Sequence, residues 1–232
     1  MDSLGAAHYA LRACVDGADR QDPVDPDAVV AMQIALNLPT VEPPGREEVL
    51  EDVARAVVTL CLEPETEWVE SLARWYGGRI RKVARRSRNT AWRAVQDVPG
   101  VTVGSARAFV PCAAGEVPKV IRKLQVRGTD LPPGEWRPLA DAPSPAILVN
   151  RDLGMTAGKA AAQVGHASML LAAQRSRQWV RRWAGDGYPL GVREVSGNEF
   201  QRWVGADDAV PVVDAGFTEV SPGSVTVVAV EF

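Results

Sequence analysis

The chain of 232 residues lacks the features that mark several protein classes. It has three cysteines, Cys14, Cys61 and Cys112, which are too few and too scattered for a disulfide framework or a zinc site. No apolar run approaches the ~18 residues of a membrane-spanning helix, and the start has no basic segment followed by an apolar core, as a secretory signal would. We therefore expect a cytoplasmic protein with no membrane association, and we expect no metal or other cofactor.

The chain also has no excess of positive charge. It contains 26 Lys and Arg against 29 Asp and Glu, for a formal net charge of -3. Any binding to nucleic acid must then come from a local patch of cations. Hydrophobic residues make up 46% and charged residues 24%, which is typical of globular proteins and excludes collagen-like, coiled-coil and wholly disordered chains.

A stretch rich in proline, residues 131–145, divides the chain into two parts. Proline has no amide donor and disfavours helix in the residue before it, so this stretch is predicted to be a linker. Behind it, residues 146–232 alternate between strand-like and helix-like segments, which predicts a small three-layer α/β/α domain with a mixed sheet. The predicted strands are 146–150, 191–195, 209–216 and 224–232, and the predicted helices are 156–174, 176–185 and 198–205.

The front part, residues 1–130, shows the same order of elements. A fixed offset of 111 residues aligns it with the back part and pairs Trp68 with Trp179 and Trp92 with Trp203. We therefore predict an internal duplication, in which the front part is a degenerate copy of the same fold. The alternative is an unrelated helical accessory domain, and different strand orders in the two parts would contradict the duplication.

A narrow polar stripe lies on the predicted helix 156–174. Lys159, Gln163 and His166 are spaced i, i+4 and i+7, which places them on one face of a helix that is otherwise almost entirely apolar. The polar groups of such a stripe must form hydrogen bonds with buried partners or must face a cleft. Gly158 lets another chain or a ligand approach the first turn, where free amides favour an anion such as phosphate.

Asp214 is the natural partner of Lys159, because the predicted strand 209–216 carries it at its end. Crevices that bind ligands in α/β folds open at strand ends beside helix N-termini. Each residue also has an ordinary role: a helical lysine is usually exposed, a single histidine is usually structural, and an aspartate at a strand end usually forms a turn. The pattern by itself does not name a reaction.

Two segments resemble the signatures of the type 2, or archaeal/eukaryotic-type, peptidyl-tRNA hydrolases. They are residues 150–171 and 212–227, and the resemblance covers about residues 145–232. The matching residues are Arg151, Asp152, Leu153, Met155, Gly158, Lys159, Ala162, Gln163, His166 and Ala167 in the first segment and Asp214, Ala215, Gly216, Thr218, Pro222, Gly223 and Thr226 in the second.

The resemblance implies hydrolysis of the ester that joins a peptide to the 3′-terminal ribose of tRNA. Asp214 would orient or deprotonate a water molecule, and Lys159 would stabilise the developing negative charge or set the charge of Asp214. Gln163 and Thr218 would position the water or the acyl carbonyl. His166 would contact the terminal nucleotide or support Lys159. The alternatives are a non-catalytic tRNA-binding or translation-associated protein on the same fold, and an esterase or binding module for another nucleotide-linked substrate.

Three positions depart from the family pattern. Gly165 stands where a small polar residue is usual, Phe217 replaces a basic residue, and Glu219 stands where an amide side chain is common. The lost cation and the added carboxylate would weaken binding to a polyanion, and they motivate the non-catalytic alternative.

Local clusters of cations are the candidate tRNA contacts, although such clusters also form ordinary solvated surfaces. The front part retains none of the catalytic candidates under the offset of 111, so we predict that it is catalytically silent. It would pack on the active domain as a built-in second subunit, forming an intramolecular pseudo-dimer that acts as a monomer. The candidate tRNA-binding residues are Arg151, Arg175, Arg177, Arg181 and Arg182 in the back part and Arg81, Lys82 and Arg85 in the front part.

Overall fold

Each half of the chain contains a mixed β-sheet that packs against helices. The computed structural model describes residues 2–16, 21–134, 137–216 and 219–232. The front half holds α1 (Ser3–Asp16), β1 (Val30–Asn37), α2 (Arg46–Leu62), α3 (Val69–Tyr76), β2 (Lys82–Ser87), α4 (Asn89–Ala94), β3 (Gly100–Val103), β4 (Ala106–Phe109), β5 (Cys112–Ala113) and α5 (Lys119–Arg122). The back half holds β6 (Ala146–Asn150), α6 (Ala157–Gln174), α7 (Arg177–Gly185), β7 (Gly191–Val195), α8 (Gly197–Val204), β8 (Val210–Val213) and β9 (Val225–Val230).

The two sheets have the same strand order. The front sheet runs β2-β1-β4-β3, with β5 beside β1, and the back sheet runs β7-β6-β9-β8. In each sheet the first two strands are parallel and the remaining neighbours are antiparallel. The prediction of an α/β fold with a mixed sheet is therefore confirmed in both halves.

The shared strand order is what an internal duplication would produce, but the spacing between the halves varies along the chain. Corresponding elements begin at residues 46 and 157 for the long helices, at 69 and 177 for the following helices, and at 106 and 225 for the last strands. A single offset of 111 therefore does not relate the halves beyond their long helices. The duplication stays a prediction.

The back sheet is covered on both faces because its strands alternate in the direction of their side chains. Ile147 and Val149 of β6 pack in the large core that contains α6, whereas Leu148 packs with Phe200 of α8 in a smaller core. This gives the predicted three layers. No helix among the described residues combines the length and the apolar character that crossing a membrane requires.

The halves share one hydrophobic core, with α2 packed along α6. Gly165 of α6 permits this close approach. A Cβ atom at that position would lie 3.0 Å from Cγ2 of Val57 on α2, so even a methyl group would require the Val57 side chain or the helix to shift by a few tenths of an ångström. The packing against α2 gives a physical reason for glycine at this departure from the family pattern.

Polar contacts from α2 also reach the edge of the back sheet. Arg46 forms a buried ion pair with Glu194 of β7, with 2.9 Å between Nε and Oε1. The outer amides of β7 are hydrogen-bonded as well, since Glu47 accepts from the Glu194 amide and Glu51 accepts from the Val192 amide, each at 3.0 Å. The front half therefore covers the edge strand of the back sheet with charged side chains.

Candidate active site

A cleft of about 1100 Å³ opens between the two halves of the chain. On one side it is lined by α6 and the end of β8, and on the other by β2 and the segment just before it. The predicted polar stripe of α6 lies along this cleft. The lining includes Lys159, Gln163, His166 and Asp214 from the back half and Arg79, Arg81 and Lys82 from the front half.

Asp214 accepts hydrogen bonds from three donors. Its Oδ2 accepts from Nζ of Lys159 at 2.5 Å and from Nε2 of Gln163 at 2.7 Å, and its Oδ1 accepts from the Gly216 amide at 2.8 Å. The side chains of Lys159 and Asp214 are 10% and 9% exposed. Partial shielding from water makes their attraction stronger than that of a surface pair, so the predicted partners meet at the cleft.

Gln163 is held in one orientation by Thr226 of β9. The Thr226 hydroxyl donates to Oε1 of Gln163 at 2.7 Å, which leaves the amide nitrogen to donate to Asp214. Thr226 is fully buried. Thr226 belongs to the second signature segment, but no role was predicted for it. The available signal was a hydroxyl in a strand whose other residues are all apolar.

The surroundings of Asp214 keep its carboxylate ionised. Burial raises the pKa of Asp214, but hydrogen bonds from Lys159 and the Gly216 amide, together with the charge of Lys159, lower the pKa by more. The net result is a pKa below the ordinary value of 3.8. Asp214 is therefore a weak base at neutral pH and a strong anchor for the ammonium group.

His166 contacts Lys82 of the front half. Nζ of Lys82 lies 3.1 Å from Nδ1 of His166 and 3.1 Å from Sδ of Met169. Burial lowers the pKa of His166 well below its usual value, and the charge of Lys82 lowers it further. Burial also lowers the pKa of Lys82 to about 7, against the opposing influence of Cys61 and Cys14. The structure thus brings a predicted catalytic residue and a predicted tRNA-binding residue together.

The start of α6 is already occupied by groups of the chain itself. Thr156 caps the helix, as predicted, by accepting from the Lys159 amide at 3.2 Å. Glu219 accepts from the Thr156 amide at 2.8 Å and from its hydroxyl at 2.7 Å. Another chain segment does approach at Gly158, as expected, because Thr129 accepts from the Gly158 amide at 3.1 Å. The amides of Thr156 and Gly158 are therefore not free for phosphate.

Most of the predicted tRNA-binding cations of the back half are engaged within the chain. Arg175 pairs with Glu231 at 2.6 Å, Arg177 pairs with Asp2 at 2.8 Å, and Arg181 also pairs with Asp2. Arg175 follows the end of α6, about 24 Å along the helix axis from Lys159. None of these three arginines lines the cleft.

The remaining candidates occupy different surroundings. Arg151 donates to the Glu194 carbonyl at 2.6 Å, and Arg85 donates to Gln33 at 2.8 Å. Arg81 lines the cleft and pairs with Asp22. Arg182 is exposed on α7. The predicted tRNA contacts thus lie on several elements, and of these residues Arg81 and Lys82 line the cleft.

Two positions of the second signature, Phe217 and Thr218, lie outside the described residues. The predicted role of Thr218 therefore stays a prediction. Within the described ranges, no three histidine, cysteine, aspartate or glutamate side chains gather in a group that could hold a metal ion.

In the front half, the helix that corresponds to α6 has different polar side chains. At the offset of 111, Glu48, Asp52 and Arg55 of α2 stand in place of the polar stripe. Asp52 accepts a hydrogen bond from the Ser105 amide at 2.7 Å, and burial raises its pKa. The predicted catalytic silence of the front half rests on these replacements.

Comparison with known proteins matches the back half of the chain. The family model described as "Peptidyl-tRNA hydrolase PTH2" matches residues 145–231. A peptidyl-tRNA hydrolase of Haloquadratum walsbyi is 36% identical over 91 residues, covering 37% of this chain and 81% of that protein. One from Aeropyrum pernix is 39% identical over 98 residues, covering 37% and 79%, and one from Pyrobaculum aerophilum is 35% identical over 96 residues, covering 36% and 79%.

Proposed function

Because the chain belongs to the peptidyl-tRNA hydrolase PTH2 family through residues 145–231, we propose that it hydrolyses the ester between a peptide and the 3′-terminal ribose of tRNA. Water adds to the acyl carbon, the bond from that carbon to the ribose oxygen breaks, and a proton passes to the ribose oxygen. The products are a free peptide and a reusable tRNA.

The observation that carries this proposal is the ammonium of Lys159 held by Asp214 at the wall of the cleft. An ester carbonyl that enters the cleft beside Nζ would develop negative charge in the tetrahedral intermediate, and a fixed cation stabilises that charge. Because Asp214 already accepts three hydrogen bonds and has a lowered pKa, its role here is to orient Lys159 and a nearby water molecule.

Release of N-acetyl-amino acid from acylated tRNA tests the proposal directly. We expect measurable release by the wild type and a loss of about 100-fold or more in Lys159→Ala and in Asp214→Asn, because each removes part of the charge arrangement. Asp207→Asn is the matched control, since Asp207 is exposed and belongs to no described ion pair, and it should keep wild-type activity.

Two outcomes would reject parts of this proposal. Absence of release by pure wild type, with tRNA still bound, would favour a non-catalytic tRNA-binding protein on the same fold. Equal release by the wild type and both variants would reject the assignment of Lys159 and Asp214 as catalytic residues while leaving the activity in place.

A further inference from the structure

The floor of the cleft contains a side chain that the back half cannot supply. Lys82 begins β2 in the front half, and its Nζ crosses the interface to Nδ1 of His166, 3.1 Å away. His166 is the last member of the polar stripe that also holds Lys159 and Gln163. The polar groups that line the cleft therefore come from both halves, with Asp214 in one and Lys82 in the other.

The contact determines which nitrogen of His166 carries hydrogen. Below the Lys82 pKa of about 7 its side chain is mainly an ammonium group, which can only donate. Nδ1 of an uncharged His166 then accepts from Lys82, and the ring hydrogen resides on Nε2. Nε2 makes no hydrogen bond to the described residues, and the imidazole lines the cleft. The structure thus leaves one N–H donor of His166 without a partner among the described residues, on a side chain that lines the cleft.

Aromatic and sulfur-containing side chains lie near the amino group of Lys82. The ring of Trp75 on α3 lies under Nζ, 5.1 Å from the centroid, and Met169 of α6 contributes its sulfur. Cys61 of α2 and Cys14 of α1 are the other titratable groups that face it. No carboxylate of the described residues pairs with Lys82, so the hydrogen bond to His166 is its strongest polar contact.

We propose that Lys82 is a positioning residue that fixes His166 as an uncharged donor through Nε2, so that the front half completes the active cleft. The acceptor would be an oxygen of the 3′-terminal nucleotide of the substrate, an assignment that rests on the proposed function. The positioning itself does not depend on that function, because it concerns the free protein.

Nuclear magnetic resonance of the full chain can test the positioning. The chain has two histidines, and His8→Gln identifies the signals of His166, since His8 instead contacts the Ala172 carbonyl. At pH 6 we expect the Nε2–H tautomer of His166 in the wild type. In Lys82→Met we expect its pKa to rise by about one unit or more, with mixed tautomers, and Lys82→Arg should restore the wild-type behaviour. Identical titration of His166 in the wild type and in Lys82→Met would overturn the proposal.

Kinetics on acylated tRNA add a second measurement. Lys82→Met should lower kcat/KM about 10-fold or more and should add a loss of activity at acid pH, where His166 becomes charged. A folded Lys82→Met protein with an unchanged pH profile would also overturn the proposal. If the wild type releases nothing, the proposed function fails, yet the tautomer and titration of His166 still decide the role of Lys82.

Discussion

Asp214 accepts hydrogen bonds from two side chains of α6 and from a backbone amide of its own loop, and its ionised form should stabilise the fold. Its pKa is lower in the folded protein than the ordinary value of 3.8, so the unfolded chain binds the proton more readily. The stabilisation is therefore present above about pH 4 and is lost as the pH falls below that value.

We expect Asp214→Asn to lower the free energy of unfolding by about 1–2 kcal/mol at pH 6, because Lys159 loses its counter-charge. The difference from wild type should shrink between pH 5 and pH 3 (about one unit on each side of the ordinary pKa). Denaturant titrations at each pH measure this. The exposed Asp207→Asn is the control, and a difference that stays constant with pH would contradict the electrostatic explanation.

Single residues differ in how far the sequence predicts their partners. Lys159, Gln163 and Asp214 were predicted to act together, since helical periodicity aligns the first two and a strand end supplies the third; the structure joins them. The contact between Lys82 and His166 was not predicted. The two are 84 residues apart and lie in different halves, so the packing of β2 and α2 against α6 brings them together.

At the scale of elements, the packing of α2 on α6 should be sensitive to the addition of a single carbon atom at position 165. We expect Gly165→Ser, which restores the small polar residue usual in the family, to lower the free energy of unfolding by about 1–3 kcal/mol. The reason is the 3.0 Å separation between a Cβ at this position and Cγ2 of Val57. Chemical denaturation of purified variants measures the change.

Two further variants separate this clash from a general effect of replacing glycine. Gly185→Ala is the matched control, because a Cβ there meets nothing within 4 Å, and it should leave stability nearly unchanged. Val57→Ala should relieve the clash, so Gly165→Ser should cost less in that background, with a coupling energy of about 1 kcal/mol. Additive effects of the two substitutions would refute the close-packing explanation.

Elements with a clear sequence pattern were predicted closely. The helix 156–174 was predicted from its run of small and apolar residues and its threonine cap, and it is observed at 157–174. The helix α1 was not predicted; it has no acidic residue in its first turn and no basic residue in its last turn that would mark its ends. The strand 209–216 is shorter, at 210–213, and its pairing with β9 is already irregular between Val212 and Val213.

At the scale of the whole molecule, tRNA should contact the front half beside the cleft. Arg122, Lys123 and Arg127 are exposed, and none forms an ion pair with a described residue. Val126 and Thr129 of the same segment line the cleft. These cations are therefore available to phosphates, whereas Arg177 and Arg181 of α7 are paired with Asp2.

We expect the triple variant Arg122→Ala/Lys123→Ala/Arg127→Ala to weaken binding of deacylated tRNA and to lower the slope of log affinity against log salt by about 2. Binding titrations at several salt concentrations give this slope. The matched control is Arg177→Ala/Arg181→Ala, which should change it little. A larger change in the control would place the main tRNA contact on α7 and would contradict the prediction.

The arrangement of the two halves could be predicted only in part. Alternation of strands and helices predicted the fold class of each half, and that class is confirmed. The linker was predicted to separate two domains, but Leu131 at its start and Ala142 near its end are buried, and the halves share a core. The proline-rich composition of the linker indicates a break in regular secondary structure. Whether the halves share a core depends instead on which helix faces fit each other.

The carboxylates of α2 have one more consequence for the chain as a whole. A strand at the border of a sheet has unpaired backbone N–H and C=O groups, so a strand from another molecule can pair with it and aggregation can follow. Here Glu47 and Glu51 already bind the outward amides of β7. Cleavage that released the front half would unmask this border and leave its amides open to pairing with a further strand.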